Sequence, residues 1–496
     1  MNSNSLTGSL KFLFNDSVVY GVAAALSRML SIITFPVIAG NFSVGDYGCL
    51  DLFSSIATFL GLIVIFAQDS ALARFFFDDE DHTYRKSLVS QSLFIVVVWM
   101  IMFLLSAYYS HKLILESFNI DYLGDKSMLI LLFQTPFFVL MSFCQNILKW
   151  ARQRKQYLVL TYGYTVTYVI TITIILLSRK VDIDQYLIIG LIHFIFFTFL
   201  GIYMVRNLLQ WPTSFSLIPK LLKYAGPLGL VSVIGALVPV VERSLAIDAV
   251  GIDGLGYLSA GLRIASIISL FIFAFQMAWG PFWLSLHKRI DAIDTYNSVL
   301  RYYSFFIVIL VFSISLVSYP VFFFLTPIRF ASGITSVLPL LLGFAVQSVA
   351  WILSIGISIS KKTHLELYIQ LIFLLLTVVF LKTIGQFGVL GLAYSFLLSR
   401  LFQALLLWKM GNYCLNLKWD YKRPLLFIGM ALIFGGLCSL VLDFGGGFYF
   451  TLICGFSTII LFPIGYFFVL NTSERLSLGN IIMKTRVSIS RFLLKK

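Results

Sequence analysis

Long apolar runs bounded by charged residues are the feature that most constrains this chain. A helix that spans a bilayer needs roughly 20 mostly apolar residues, and the sequence contains fourteen runs of about that length. Several are apolar on every face, which is typical of helices that contact lipid. We therefore predict an all-α, polytopic membrane protein with about 14 transmembrane helices, at residues 17–40, 51–74, 88–108, 127–148, 157–178, 186–208, 224–245, 257–283, 302–324, 332–357, 365–382, 388–408, 424–442 and 447–470.

The composition excludes most other classes of protein. Of the 496 residues, 59% are hydrophobic and 12% are charged, whereas an average soluble protein has roughly 25% charged residues. A cytosolic enzyme, a secreted disulfide scaffold and a disordered chain are all excluded. The five cysteines have no CxxC or other ligand spacing, so we predict neither a disulfide framework nor a metal site.

The net charge of +14 is explained by topology and does not indicate a nucleic-acid partner. With the N-terminus in the cytoplasm, 25 of the 36 Lys and Arg residues fall in cytoplasmic segments and only 6 in outside loops. Such a bias predicts a multi-pass protein with both termini inside.

An internal repeat indicates how the spans are organised. Residues 20–57 and 224–265 each contain an apolar span, a short loop rich in Gly and Asp, and a second span; Ile56-Ala57 matches Ile264-Ala265 at an offset of 208. Parallel repeats of this kind occur in several transporter folds. We predict two pseudo-symmetric six-helix lobes and two C-terminal helices, with boundaries at 1–16 (cytoplasmic N-terminus), 17–208 (N-lobe), 209–223 (cytoplasmic linker), 224–408 (C-lobe), 424–470 (last two helices) and 471–496 (a basic cytoplasmic tail suited to anionic lipid).

Charged residues inside the predicted spans are the candidate functional residues, because a charge at mid-bilayer usually faces a cavity or a partner. Arg28 and Arg400 are the best candidates for a cavity lining, and Asp69 is the clearest carboxylate for proton or sodium coupling. Glu242 and Arg243 are neighbours about 100° apart on a helix, so we expect each to have another partner, either structural or a ligand.

The arginine excess in these spans favours an anionic substrate. Arg74 lies four residues before Asp78, so an ion pair at the membrane surface explains it. Four other arginines lie within predicted spans: Arg28, Arg243, Arg263 and Arg400. Because guanidinium groups bind oxyanions through two hydrogen bonds and stay charged, a cavity lined by arginine suits phosphate or acidic sugar.

Several segments resemble the Wzx-type O-antigen and polysaccharide flippases of the multidrug/oligosaccharidyl-lipid/polysaccharide exporter superfamily. The likeness is sharpest at DSVVYGVAAALSRMLSIITFPVIAG, GDYGCLDL, ALARFFFD, KYAGPLGL, VVERSLAID, GLGYLSAGLRIA and FQMAWGPFW, none of which is a catalytic signature. The resemblance implies two helical bundles in a V that opens to one side at a time.

The same resemblance implies a substrate and a location. The chain would be a transporter and not an enzyme, moving an undecaprenyl-pyrophosphate-linked oligosaccharide from the cytoplasmic to the periplasmic leaflet of the bacterial inner membrane. Substrate-binding residues would be Arg28, Arg243, Arg263 and Arg400, and ion-coupling candidates would be Asp69 and Glu242. No cofactor is implied beyond a proton or sodium gradient, and the polysaccharide polymerase machinery is a candidate partner.

Three alternatives remain open at this point. A multidrug exporter of the same superfamily predicts an acidic cavity, which the arginine excess disfavours. A membrane glycosyltransferase or polymerase predicts a sizeable loop or a paired acidic motif, and the acidic cluster DDED at 78–81 is more typical of a solvated turn. A scaffold without transport is weakly disfavoured by the buried charges.

Overall fold

A computed structural model describes residues 29–30, 32–79, 81–117, 124–211, 214–286, 289, 292–360, 362, 364–415 and 419–478. Throughout these residues the regular secondary structure is helical, which confirms the predicted all-α class. The helices are α1 (Phe35–Asn41), α2 (Val44–Ile65), α3 (Gln68–Phe75), α4 (His82–Ser117), α5 (Asp125–Trp150), α6 (Arg154–Ser178), α7 (Ile183–Val205), α8 (Ile218–Ala265), α9 (Ile268–Leu286), α10 (Ala292–Leu325), α11 (Ile334–Leu353), α12 (Ile355–Ile359), α13 (His364–Thr383), α14 (Gly388–Cys414) and α15 (Lys422–Ile464).

The number of spans agrees closely with the prediction. Twelve helical segments of the described residues are long and apolar enough to cross a membrane. Two predicted spans are not among them. The first, 17–40, lies largely outside the described residues, and the eighth, 257–283, is divided between the end of α8 and the apolar helix α9. The chain is therefore a multi-pass helical membrane protein.

Two long helices contain a glycine at a kink. Helix α8 has 48 residues, which at about 1.5 Å per residue is far longer than a bilayer core of about 30 Å. Gly251 has a φ of 77° and Gly446 in α15 has a φ of 72°, a backbone conformation that glycine adopts without steric cost. Each glycine therefore allows its helix to change direction at the kink.

The second span begins earlier than predicted and is broken near its end. Ser43 and Asp46 form a capping box, in which the Ser43 hydroxyl accepts from the Asp46 amide at 3.1 Å and Asp46 accepts from the Ser43 amide at 3.2 Å. Helix α2 therefore starts at residue 44, and Asp51 lies inside the helix, where the prediction had placed the span boundary. Phe66 and Ala67, both left-handed, end α2 before α3 begins.

The chain divides into two compact units. Unit 1 comprises the described residues of Met1–Arg263, Phe323–Gly333 and Thr363–Ser395, and unit 2 those of Ile264–Phe322, Ile334–Lys362 and Phe396–Lys496. Neither unit is contiguous in sequence. The repeat-based lobe boundaries, and the V arrangement that the resemblance implies, stay predictions.

Within unit 1, a residue distant in sequence caps the first described helix. The Nη2 atom of Arg329 donates to the carbonyl oxygens of Ala39, Gly40 and Phe42 at 2.6, 2.9 and 3.0 Å. These carbonyls lie at the C-terminal end of α1, where no intrahelical partner exists. The guanidinium of Arg329 therefore satisfies the carbonyl oxygens at the end of a helix that lies some 290 residues earlier in the chain.

The two copies of the internal repeat pack against each other in unit 1 through equivalent positions. A Cβ atom added to Gly48 would lie 2.8 Å from the amide nitrogen of Gly256, and one added to Gly256 would lie 2.0 Å from the Val44 carbonyl oxygen. The Ser259 hydroxyl donates to Asp51 Oδ2 at 3.0 Å. Both pairs, 48 with 256 and 51 with 259, have the offset of 208 seen in the sequence, so this contact joins corresponding faces of the repeats.

Candidate functional site

A cavity of about 310 Å³ lies between the spans of unit 1. Its walls come from α1, α2, α5, α6, α7 and the last turn of α8, so its polar groups are held by helices that cross the apolar layer. Cavities of this volume, mostly apolar with a few convergent polar groups, are typical of small-molecule sites. The lining residues are Ile38, Tyr47, Leu50, Asp51, Phe53, Ser54, Ala57, Thr58, Leu131, Gln134, Thr135, Phe138, Tyr164, Tyr168, Tyr186, Leu187, Phe194 and Arg263.

One wall of this cavity is formed by aromatic rings from α6 and α7. The rings of Tyr164 and Tyr168 are stacked at 5.8 Å with an angle of 8° between their planes, and Tyr164 also stacks on Phe194 at 5.0 Å. The side chains of Tyr168 and Tyr186, which both line the cavity, interact with each other electrostatically. The wall is therefore flat and apolar across its ring faces and polar at its edge.

Arg263 carries the positive charge of the cavity lining. Its guanidinium donates a hydrogen bond to the Tyr47 hydroxyl and lies 5.9 Å from the ring centroid of Phe35. Tyr47 in turn packs edge-on against Phe330 with ring centroids 5.7 Å apart. These contacts fix a cation and a phenol side by side at the edge of the aromatic wall.

Arg243 lies in an ion-pair network that reaches the cavity through Asp51. Its Nε atom is 3.0 Å from Asp51 Oδ2, and its Nη1 atom is 3.3 Å from Glu242 Oε2. We predicted that Glu242 and Arg243 would each have another partner. This is confirmed for Arg243, which contacts Asp51. However, the side chains of Arg243 and Glu242 also contact each other. Asp51, which also lines the cavity, was missed because sequence reasoning treated it as a boundary charge.

The charges of this region cancel, which corrects the expectation of a cationic interior here. Asp51 and Glu242 offset Arg243 and Arg263, and Glu242 is buried, with only 6% of its surface exposed. An isolated charge in such surroundings would be costly, so the arginines occur with carboxylates. Of the predicted site residues, the structure brings together Glu242, Arg243 and Arg263.

The other predicted site residues lie elsewhere. Arg400 belongs to unit 2, where it is buried, with its guanidinium 3.4 Å from the Phe396 ring centroid and 3.2 Å from the Ser399 hydroxyl. Asp69 lies in α3 and interacts electrostatically with Lys149. Neither lines the cavity of unit 1, and Arg28 lies outside the described residues.

The predicted surface pair of Arg74 and Asp78 is confirmed. Arg74 Nη1 is 3.0 Å from Asp78 Oδ1, and Lys220 Nζ is 3.0 Å from Asp78 Oδ2. The hydrogen bond from Lys220 is the main reason that the pKa of Asp78 is lowered from its ordinary value. In the part of the chain that the structure describes, no three His, Cys, Asp or Glu side chains cluster as metal ligands would.

Comparisons with known proteins support the same fold. A family model described as "Polysaccharide biosynthesis protein" matches residues 13–287. The chain is similar in structure to "Lipid II flippase MurJ, inward closed conformation", with a TM-score of 0.67 and 19% identity over 90% of this chain and 98% of that one.

Multidrug transporters give comparable matches. An inward-facing multidrug resistance MATE family transporter of the MOP superfamily has a TM-score of 0.66 and 14% identity, covering 79% of this chain and 95% of that one. Its outward-facing counterpart has a TM-score of 0.60 and 13% identity over 81% and 95%. No curated protein sequence matches this chain. At these identities the neighbours establish the fold, which is that of the exporter superfamily predicted from the sequence.

Proposed function

Because this chain belongs to the polysaccharide biosynthesis protein family, we propose that it is a flippase for an undecaprenyl-pyrophosphate-linked oligosaccharide. It moves the repeat unit of an O-antigen, capsule or exopolysaccharide from the cytoplasmic to the periplasmic leaflet of the bacterial inner membrane. It works by alternating access, with both termini in the cytoplasm, and makes or breaks no bond in its substrate.

The observation that carries this proposal is the polar, aromatic-walled cavity between the spans of unit 1. A sugar ring has apolar C–H faces and a rim of hydroxyls, so it is complementary to flat rings flanked by hydrogen-bonding groups. The stacked pair Tyr164 and Tyr168 supplies the ring faces, and Gln134 and Thr135 supply amide and hydroxyl groups. Sites that bind small polar ligands combine these two elements.

The charges suit a substrate with acidic groups. Arg263 lines the cavity beside Tyr47 and can donate to a carboxylate or phosphate oxygen. Arg243 is held by Asp51 and Glu242, so an anion must displace a carboxylate to reach it. If export is coupled to an ion gradient, Asp51 and Glu242 are the groups of this network through which the ion acts on Arg243, because both contact its guanidinium. Asp69, which lies in α3 and is not part of this network, remains a second coupling candidate.

Multidrug export is the competing function, because multidrug transporters share the fold. A cationic drug requires an acidic cavity. Among the described residues that line this cavity, Asp51 is the one acidic side chain, and it is paired with Arg243 at 3.0 Å and accepts from Ser259 at 3.0 Å. The lining also carries Arg263, which repels cations. These contacts favour a neutral or acidic sugar over a cationic drug.

The proposal is tested by deleting the gene and measuring surface polysaccharide together with the leaflet location of the lipid-linked repeat unit. We expect surface polysaccharide to be lost and the repeat unit to accumulate in the cytoplasmic leaflet. Normal surface polysaccharide, in a strain with no second flippase, would refute the function.

Site variants then test the cavity. Arg263→Ala should reduce export by about 10-fold or more, because a hydrogen bond to a charged group contributes about 1.5–3 kcal/mol, and Arg263→Lys should retain part of the activity. Arg206→Ala is the matched control, since Arg206 lies over the Tyr203 ring at 3.8 Å and does not line the cavity. Equal export by Arg263→Ala and the control would remove the cavity from the mechanism.

A further inference from the structure

Gln134 is a polar, uncharged residue on the lining of the cavity in unit 1. Helix α5 is a candidate span that begins at Asp125, so nine rises of about 1.5 Å place Gln134 about 14 Å along it. Because the hydrocarbon core of a bilayer is about 30 Å thick, this residue lies well inside the apolar layer. A polar side chain at that depth usually has a partner or a function.

The side-chain carboxamide of Gln134 is not fully used by the fold. Its Oε1 atom is buried and has no hydrogen-bond partner among the described residues. Helix α7 faces it with Gly190, where an added Cβ would lie 3.4 Å from Gln134 Nε2, so the facing residue has no side chain that could bond the amide. The next residue, Thr135, differs, because its hydroxyl donates to the Leu131 carbonyl at 2.9 Å. A buried polar group without a partner is costly, so packing alone does not account for an amide at this position.

The orientation of this carboxamide can adapt to a ligand. The terminal torsion of a glutamine side chain is broad and roughly two-fold, and no hydrogen bond to a described residue holds Gln134 Oε1 in place. Rotation can therefore present either the oxygen, which accepts, or the NH2 group, which donates. The best match is a ligand group that has both a donor and an acceptor of its own.

The groups on either side of Gln134 are apolar. Leu131 and Phe138 lie three residues before it and four residues after it on α5, so they flank it on one helix face, and both line the cavity. The Phe138 ring packs edge-on against Phe194 with centroids 5.6 Å apart. It also packs closely on Gly61, where an added Cβ would lie 2.9 Å from the ring. The amide is therefore set between two apolar surfaces, one of which is held in place.

This flank is continuous with the tyrosine wall of the cavity. Phe194, which contacts Phe138, also stacks on Tyr164 with ring centroids 5.0 Å apart. Tyr164 in turn stacks on Tyr168. A sugar ring that lies on the tyrosine faces therefore has the apolar flank and the Gln134 amide beside its rim, where the substituents of a sugar project.

Three kinds of sugar substituent differ in how well they match these surroundings. A hydroxyl can hydrogen-bond with the amide but leaves the apolar flanks without a contact. A carboxylate has acceptors only, and it carries a charge that apolar flanks cannot stabilise. An acetamido group has an N–H, a carbonyl oxygen and a methyl group. It can therefore pair with Gln134 and also bury its methyl group against Leu131 or Phe138.

We propose that Gln134 sets the specificity of this cavity for a sugar that carries an acetamido group. The carboxamide hydrogen-bonds with the amide of that group, and the apolar neighbours of Gln134 receive its methyl group. The inference rests on the proposed function, which makes the cavity a sugar site. Discrimination arises because a sugar without the acetamido group forfeits the amide hydrogen bond and the apolar contact together.

Specificity is measured with the full chain in phosphatidylcholine nanodiscs by native mass spectrometry. The two probes share an undecaprenyl diphosphate carrier and differ in one substituent of the sugar, which is N-acetylglucosamine in one and glucose in the other. The test variants are Gln134→Leu and Gln134→Met, which are similar in size to glutamine and cannot form the hydrogen bond. Gln156→Leu is the matched control, because Gln156 Oε1 is also buried without a partner among the described residues and Gln156 does not line the cavity.

We expect the wild type to bind the N-acetylglucosamine probe about 10-fold more tightly than the glucose probe. Both Gln134 variants should lose most of this preference, and the control should keep it. All three variants should melt at or above the temperature of the wild type, because each replaces an unpaired buried amide with an apolar group. A loss of preference at an unchanged melting temperature will therefore not reflect misfolding.

Three results would overturn the proposal and leave the flippase function standing: equal binding of the two probes by the wild type, a preference that survives in both Gln134 variants, or the same loss in the control. A preference that is lost only together with a lower melting temperature in both Gln134 variants would show a structural role and would overturn it too. Failure of the wild type to bind either probe would overturn the proposed function as well, since neither lipid-linked sugar would then be a ligand.

Discussion

Removing the charge of Arg243 should destabilise unit 1 more than removing the charge of Asp51, although the two form one ion pair. Arg243→Gln leaves Asp51 and Glu242 without the guanidinium that lies 3.0 and 3.3 Å from them. Asp51→Asn leaves Arg243 with Glu242 as its remaining carboxylate. Breaking a buried pair costs about 3–5 kcal/mol.

Because the pair is partly exposed, the cost lies at the low end of that range for Arg243→Gln, and below it for Asp51→Asn, which leaves Arg243 in contact with Glu242. The side chains of Arg243 and Asp51 are 14% and 28% exposed, so we take about 3 kcal/mol for Arg243→Gln and about 1.5 kcal/mol for Asp51→Asn. For a folding unit of this size, 1 kcal/mol corresponds to about 2 °C in melting temperature. The expected decreases are therefore about 6 °C and about 3 °C.

The assay is the thermal unfolding of the detergent-solubilised protein, for both single variants and the double variant. Because the two residues contact each other, the double variant should lose less than the sum of the single losses. Additive losses to within about 1 °C, or equal losses in the two single variants, would refute the reasoning.

Two further predictions concern packing and pH. Gly256→Ala should abolish the folded yield in size-exclusion chromatography, because its Cβ would lie 2.0 Å from the Val44 carbonyl oxygen, whereas Gly235→Ala on the same helix has no atom within 4 Å and should fold normally. A folded Gly256→Ala protein would show that the repeats do not pack this closely. Burial tends to raise the pKa of Glu474, but hydrogen bonds from Arg301 outweigh it and lower the pKa from its ordinary value. The pair, with contacts of 2.6–3.0 Å, therefore stabilises unit 2 above the usual Glu pKa of about 4.3 and loses that contribution as pH falls through the lowered value. Glu474→Gln should lower the melting temperature at pH 7 and flatten its decline in acid; an unchanged acid profile would contradict this account.

The spans could be predicted from sequence because hydropathy is a local property. Twelve of the fourteen predicted runs correspond to a candidate span of the described residues, although several ends differ by six or more residues. The displaced ends of the second span have local causes. Ser43 and Asp46 start α2 with a capping box, and left-handed Phe66 and Ala67 end it, neither of which alters the hydropathy. The Arg74 pair was also predictable, because its partner is four residues away.

The candidate site was only partly predictable, because its contacts join residues distant in sequence. Arg243 and Arg263 were identified as charges within spans, but their neutralisation by Asp51 depends on packing between the two repeats. The tyrosine wall gave no sequence signal, since aromatic residues occur in almost every span.

The discontinuity of unit 1 has a consequence for biosynthesis. Its segments Phe323–Gly333 and Thr363–Ser395 are made after most of the first half of unit 2. The carbonyl oxygens at the end of α1 cannot form their hydrogen bonds with Arg329 until that residue is synthesised, some 290 residues after Ala39. At roughly 5–20 residues per second, that delay is about 15–60 s. The early helices must therefore stay in the bilayer, inserted but incompletely assembled, for much of the time that the ribosome spends on this chain.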